Sequence, residues 1–114
     1  MNVPAVQALS ADVSVAPQLD PAAMAWAAQT GFRSVINNRP DFEAGPGQPT
    51  HAAMQAAALA AGLSYAFLPV APTVQTADEV AAFAALLVEL PKPILAFCRS
   101  GARSGKLFRA TTGG

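Results

Sequence analysis

Alternating strand and helix patterns predict an α/β protein with a mostly parallel central sheet of about four to five strands, flanked by helices on both faces. Three observations carry this. Short apolar runs at residues 32–37, 63–70 and 93–97 fit strands, the segments between them repeat at helical spacing, and glycine or proline marks most junctions. With 114 residues the chain suits one domain, 1–114, which buries roughly two thirds of its unfolded surface.

Taken in order, residues 1–10 carry no clear pattern and are expected to be poorly ordered. Residues 11–19 (ADVSVAPQL) alternate enough for a first strand, with Pro17 at an edge or at its end. Asp20 and Pro21 supply an N-cap carboxylate and a proline pre-set for a first helical turn. The helix covers 22–29, with Met24, Trp26 and Ala27 turned inward, and Gly31 stops it. FRSVIN at 32–37 is the next strand. Residues 38–49 form a long polar loop carrying Arg39, Asp41 and Glu43 amid glycine and proline.

An alanine-rich helix over 50–61, anchored by Met54 and Leu59 and ended by Gly62, follows that loop. LSYAFLPV at 63–70 reads as a buried strand. After a loop at 71–75, Thr76 and Glu79 form a capping box for a helix over 77–90. Within it Val80, Phe83, Ala84 and Leu87 recur at i, i+3, i+4 and i+7, the stripe of a helix lying on a sheet. Pro91 and Pro93 bracket the turn into the last strand, and residues 111–114 look like a frayed end.

Composition excludes several classes. Formal charge is zero and charged residues are 12%, so no basic field points to nucleic acid. The 53% hydrophobic fraction is inflated by alanine, and no run approaches the roughly 18 uncharged apolar residues of a membrane span. Residues 1–10 lack the pattern of a secretory signal, and a single cysteine cannot form an internal disulfide, so a cytoplasmic location is expected. His51 is the one histidine; without clustered His or Cys it makes no metal site and reads as a surface residue, and no cofactor is expected.

The chemistry concentrates in Cys98-Arg99-Ser100-Gly101-Ala102-Arg103-Ser104, directly after the last strand. A strand that ends in a thiol, turns through a Ser-Gly loop and restarts as a helix aims backbone N–H groups and the positive helix end at one point. Such loops lower a thiol pKa from about 8.5 to roughly 3.5–7.5, making Cys98 a candidate nucleophile. The Arg103 guanidinium can grip two oxygens of an oxyanion, with Arg99, Ser100, Gly101, Ala102 and Ser104 completing the cradle. Ser104 has a hydroxyl available to cap the helix or donate to the sulfur. In a parallel sheet the 38–49 loop opens on the same edge, which makes Asp41 a candidate general acid and Arg39 a candidate second clamp. Either residue also fits an ordinary turn.

CRSGARS resembles the active loop shared, with variations, by cysteine-dependent phosphatases and rhodanese-type sulfurtransferases. Together with GFRSVINNRPDFE and LSYAFLPV it is similar to the bacterial phosphatase-like domain found alone or fused to a metallo-β-lactamase-type hydrolase. The resemblance covers residues 13–108. It implies a compact cysteine-phosphatase-like fold of the dual-specificity phosphatase superfamily, and a fused or neighbouring metallo-hydrolase as partner in related proteins. Members usually continue beyond the point where this chain stops, so the resemblance implies a shortened last helix.

Spacing leaves the reaction open. Cysteine phosphatases place five residues between Cys and Arg; Arg103 follows Cys98 after four, as in rhodanese-type loops. The 71–75 loop, which usually carries the phosphatase aspartate, has no carboxylate. The first expectation is hydrolysis of a phosphomonoester through a Cys98 phosphocysteine, the expected partner being a phosphomonoester or small oxyanion substrate. The second is sulfur transfer through a Cys98 persulfide, and the third is a non-catalytic module that binds oxyanions or senses oxidants.

Overall fold

A computed structural model describes residues 4–112 of the chain. Residues 1–3 and 113–114, the extremes of the two ends expected to be poorly ordered, lie outside the described residues. The elements in chain order are β1 (Gln7–Ala8), β2 (Val13–Ala16), α1 (Ala23–Thr30), β3 (Ser34–Asn37), α2 (His51–Ala60), β4 (Ser64–Phe67), α3 (Ala77–Glu89), β5 (Ile94–Phe97) and α4 (Ala102–Thr112). The five strands form one sheet in the order β1-β2-β5-β3-β4. Among the described residues only the β1–β2 pairing is antiparallel. The α/β expectation therefore holds. Two details of the ends differ from it: Gln7–Ala8 pairs with Val15 and Ser14, and α4 includes Thr111 and Thr112.

Period-2 alternation divides the core between the sheet's two faces. On β5, Leu95 and Phe97 join Met24 and Ala27 of α1 and Met54 and Ala58 of α2. Ile94 and Ala96 point the other way, towards Phe83 of α3 and Leu107 of α4. All four β5 residues are fully buried, as a strand paired on both sides and covered on both faces must be. Burying each large aliphatic side chain here contributes about 1.5–3 kcal/mol.

The packing corrects several residue-level expectations. LSYAFLPV is an edge strand: β4 pairs with β3 alone and its residues are half-buried, because chain crossovers put β5 rather than β4 in the centre. Ala58, one turn after Met54, takes the core position of α2, leaving Leu59 59% exposed. Trp26 is only partly buried, tilted against Phe32 with ring centroids 6.4 Å apart. The capping box is present, with Glu79 N donating to Thr76 Oγ1 (3.1 Å) and Thr76 N donating to Glu79 Oε1 (2.8 Å). Asp20 Oδ1 accepts from Ala23 N at 2.8 Å, one turn ahead of the helix body.

This topology places the site. Since β2, β3, β4 and β5 run parallel, the loops that follow them emerge on one edge of the sheet. Main-chain bonds tie these exits together: Asn38 N donates to Phe97 O (2.9 Å), Val70 N to Asn38 O (3.0 Å), and Gln18 N to Arg99 O (3.1 Å).

Candidate active site

Cys98 is the first residue after β5, 1% exposed, and it lines a pocket of about 360 Å³. Gly101 N donates to Cys98 Sγ at 3.1 Å. That approach depends on glycine, whose φ of +92° is a conformation L side chains rarely adopt. A Cβ there would also stand 3.4 Å from the Ala16 carbonyl carbon and oxygen. Ser100 Oγ accepts from Ala102 N at 3.3 Å, closing the turn, and Gly105 N to Gly101 O (3.0 Å) starts the helical ladder.

Burial pushes the Cys98 thiol up. The amide and hydroxyl of Ser104 and the amides of Arg103 and Gly101 pull it down and outweigh burial, leaving the thiol below its ordinary value. The hydroxyl has a competing commitment, since Ser104 Oγ donates to Asn38 Oδ1 at 2.8 Å. The Asn38 amide is held in that orientation because its Nδ2 donates to Leu68 O (3.0 Å). One hydroxyl proton cannot serve both acceptors. The main-chain amides therefore supply the lasting stabilisation of the sulfur. Ser104 stands in the first turn of α4, past the capping position that its sequence context suggests.

Arg103 is 9% exposed and lines the pocket beside Cys98. Its Nη1 donates to Glu43 Oε2 (3.1 Å) and to Val70 O (3.0 Å), and its Nη2 donates to Glu43 Oε1 (3.1 Å). The Nη1/Nη2 edge is thus engaged by Glu43, which leaves the Nε/Nη2 edge for a ligand. Glu43 also accepts from Arg39 Nε at 2.9 Å, and Arg39 Nη1 donates to Gln18 Oε1 at 3.0 Å. Desolvation raises the Glu43 carboxyl, but hydrogen bonds and charge from Arg103 and Arg39 more than offset it and hold the group below the usual carboxylate range. Phe42, just before Glu43, has φ of +61°, strained for a bulky residue, in the turn that carries this carboxylate.

Not every candidate residue comes to the pocket. Arg99, Ser100, Ala102 and Arg103 line it with Cys98; Gly101 reaches the sulfur through its amide, and Ser104 lies buried behind. Arg39 is spent on Glu43 and Gln18, and is a brace for the loop. Asp41 is elsewhere: its Oδ1 accepts from His51 N at 2.6 Å, capping the start of α2. His51 is half-buried, not a surface residue, and it stacks on Phe67 at 4.1 Å with Nδ1 3.2 Å from the Tyr65 hydroxyl. Among the described residues, no three of His, Cys, Asp and Glu are grouped as metal ligands.

Sequence reading did not single out Glu43, Lys106, Gln75 or Asn38. Glu43 and Lys106 line the pocket, as do Pro72, Thr73 and Gln75. Gln75 Nε2 donates to Arg103 O at 2.9 Å and pins the 71–75 loop to α4. The one legible signal was the Arg39–Glu43 spacing; the others are joined only by the fold.

The family model described as the phosphatase-like domain of beta-lactamase hydrolase-like protein matches residues 5–113. A beta-lactamase hydrolase-like protein of Agrobacterium fabrum is 44% identical over 79 residues, 68% of this chain and 18% of that protein. Its counterpart from Xylella fastidiosa is 43% identical over 81 residues, 71% of this chain and 19% of that protein. The chain therefore spans under a fifth of these relatives. Among solved structures, a candidate phosphatase from Neisseria meningitidis superposes with a TM-score of 0.85 at 30% identity, covering 100% of this chain and 80% of that one. P. aeruginosa TpbA, solved in complex with pTyr, superposes at 0.66 and 16% identity, covering 96% and 64%, a likeness of fold alone. The match over nearly its whole length means that this chain belongs to the phosphatase-like domain family of the beta-lactamase hydrolase-like proteins.

Proposed function

We propose that this domain is a cysteine-dependent phosphatase acting on a phosphomonoester through a Cys98 phosphocysteine. The single observation that supports it most is the thiol held below its ordinary pKa, with the free edge of Arg103 beside it in one pocket. The ionised sulfur attacks phosphorus, while the loop amides and the Nε/Nη2 edge of Arg103 hold the phosphoryl oxygens. Water then cleaves the S–P bond. Asp41, tied to the α2 amide, takes no part in this scheme, and Arg39 acts by holding Glu43.

Nitrophenyl phosphate hydrolysis, with rapid acid quench to trap phosphocysteine, tests the proposal. Turnover and a trapped intermediate that both vanish in Cys98→Ser are expected; hydrolysis that survives the substitution would refute it. Sulfur transfer through a Cys98 persulfide is the second reading, favoured by the four-residue Cys–Arg spacing. Its signature is Cys98-dependent thiocyanate formation from thiosulfate and cyanide. Partnership with a metallo-hydrolase, fused or separate, is proposed by analogy with the beta-lactamase hydrolase-like relatives.

A further inference from the structure

We infer that the substrate is a phosphoryl donor whose leaving atom departs unprotonated, as a weakly basic anion, because the one carboxylate lining the pocket among the described residues has no proton to give. The inference rests on the phosphatase reading above and narrows its substrate class to acyl phosphates and phosphates of acidic phenols or similar leaving groups.

The carboxylates decide this. Glu43 is the only one lining the pocket among the described residues. Both of its oxygens are engaged by Arg103, and Oε1 also accepts from Arg39 at 2.9 Å. A carboxylate between two guanidiniums stays ionised at neutral pH and has no proton to give. Asp41 is committed to the His51 amide, outside the pocket lining. The 71–75 loop brings Thr73 and Gln75 to the pocket, neither of them an acid near neutral pH, and the Gln75 amide is already given to Arg103 O.

What the pocket offers besides is positive charge, from a guanidinium and an ammonium, both far weaker acids than a carboxyl. Arg99 and Lys106 both line it, both are exposed, and neither has an ion-pair partner among the described residues. A cation lowers the energy of a departing anion without transferring a proton, enough for a leaving group that is already a weak base and too little for an alkoxide. In the first step the S–P bond forms as the P–O bond breaks, and the electron pair leaves with the oxygen. In the second, water attacks phosphorus, the S–P electrons return to sulfur as thiolate, and both water protons end on the phosphate product.

The test is a leaving-group series on the intact chain, comparing kcat/KM for acetyl phosphate, dinitrophenyl, nitrophenyl and phenyl phosphates and an alkyl phosphate. A steep fall with leaving-group pKa is expected, with the alkyl ester slower than dinitrophenyl phosphate by more than the about 10²–10⁴-fold that an acid would recover. For dinitrophenyl phosphate, the rate is expected to rise as the thiol ionises and then stay level to pH 9. A kcat/KM that hardly varies across the series, or falls on the basic side as a titrating acid dictates, overturns the inference and leaves the phosphatase reading standing. Absence of Cys98-dependent turnover of every member overturns the reading and this inference with it.

Discussion

The Glu43 carboxylate meets the Arg103 guanidinium end-on, with two contacts of 3.1 Å across 60 residues of chain. The pair fastens the loop after β3 to the first turn of α4. It also fixes which edge of the guanidinium faces a ligand, so the carboxylate acts on the pocket through the arginine.

Glu43→Gln keeps the shape and removes the charge. Oxyanion inhibition by vanadate is expected to weaken, and stability to fall by about 1 kcal/mol, since the carboxylate is partly solvated. The Glu43 pKa is lowered in the folded state, so its contribution is present above the unfolded value of about 4.3 and is lost as pH falls through the lower folded value. Urea midpoints measured from pH 6 down to 3 are expected to decline less in Glu43→Gln than in the parent chain. Equal declines would remove Glu43 from the linkage.

Cys98 is expected to react with iodoacetamide as a thiolate well below the ordinary cysteine titration near pH 8.5. Because the Ser104 hydroxyl proton is given to Asn38, Ser104→Ala should leave the midpoint of that titration within a few tenths of a unit. The same change strips Asn38 Oδ1 of its donor and should cost about 1–3 kcal/mol in urea unfolding. A large upward move of the thiol midpoint would mean that the hydroxyl serves the sulfur after all.

Gly101→Ala puts a side chain at φ +92° with its Cβ 3.4 Å from the Ala16 carbonyl. A loss of about 1–3 kcal/mol is expected, with a rise in the thiol pKa as the Gly101 amide is levered away. Calorimetry and alkylation kinetics on one sample read both. A variant with unchanged stability and reactivity would show that the loop does not need glycine.

Asp41→Ala should behave as a lost helix cap, reducing stability by about 1 kcal/mol. The pH–rate profile should keep its shape, because the carboxylate is bonded to His51 N. Loss of a basic limb in the variant would restore Asp41 as a proton donor.

Local chemistry made much of this molecule legible in the amino-acid order. The capping box at Thr76 and Glu79, the glycine stops and the thiol–glycine–arginine loop each depend on residues a few positions apart, where spacing alone sets the contact. Strand order was not of that kind. The apolar run of β4 looks as central as that of β5, and only the crossovers decide which one is paired on both sides. The same holds for Asp41, Arg39 and Glu43, whose order in one polar loop does not say which of them reaches the pocket. Tertiary structure sends the first to a helix end, the second to brace the loop and the third onto Arg103, because the preferred partners of a charge are fixed by what the fold brings within about 3 Å.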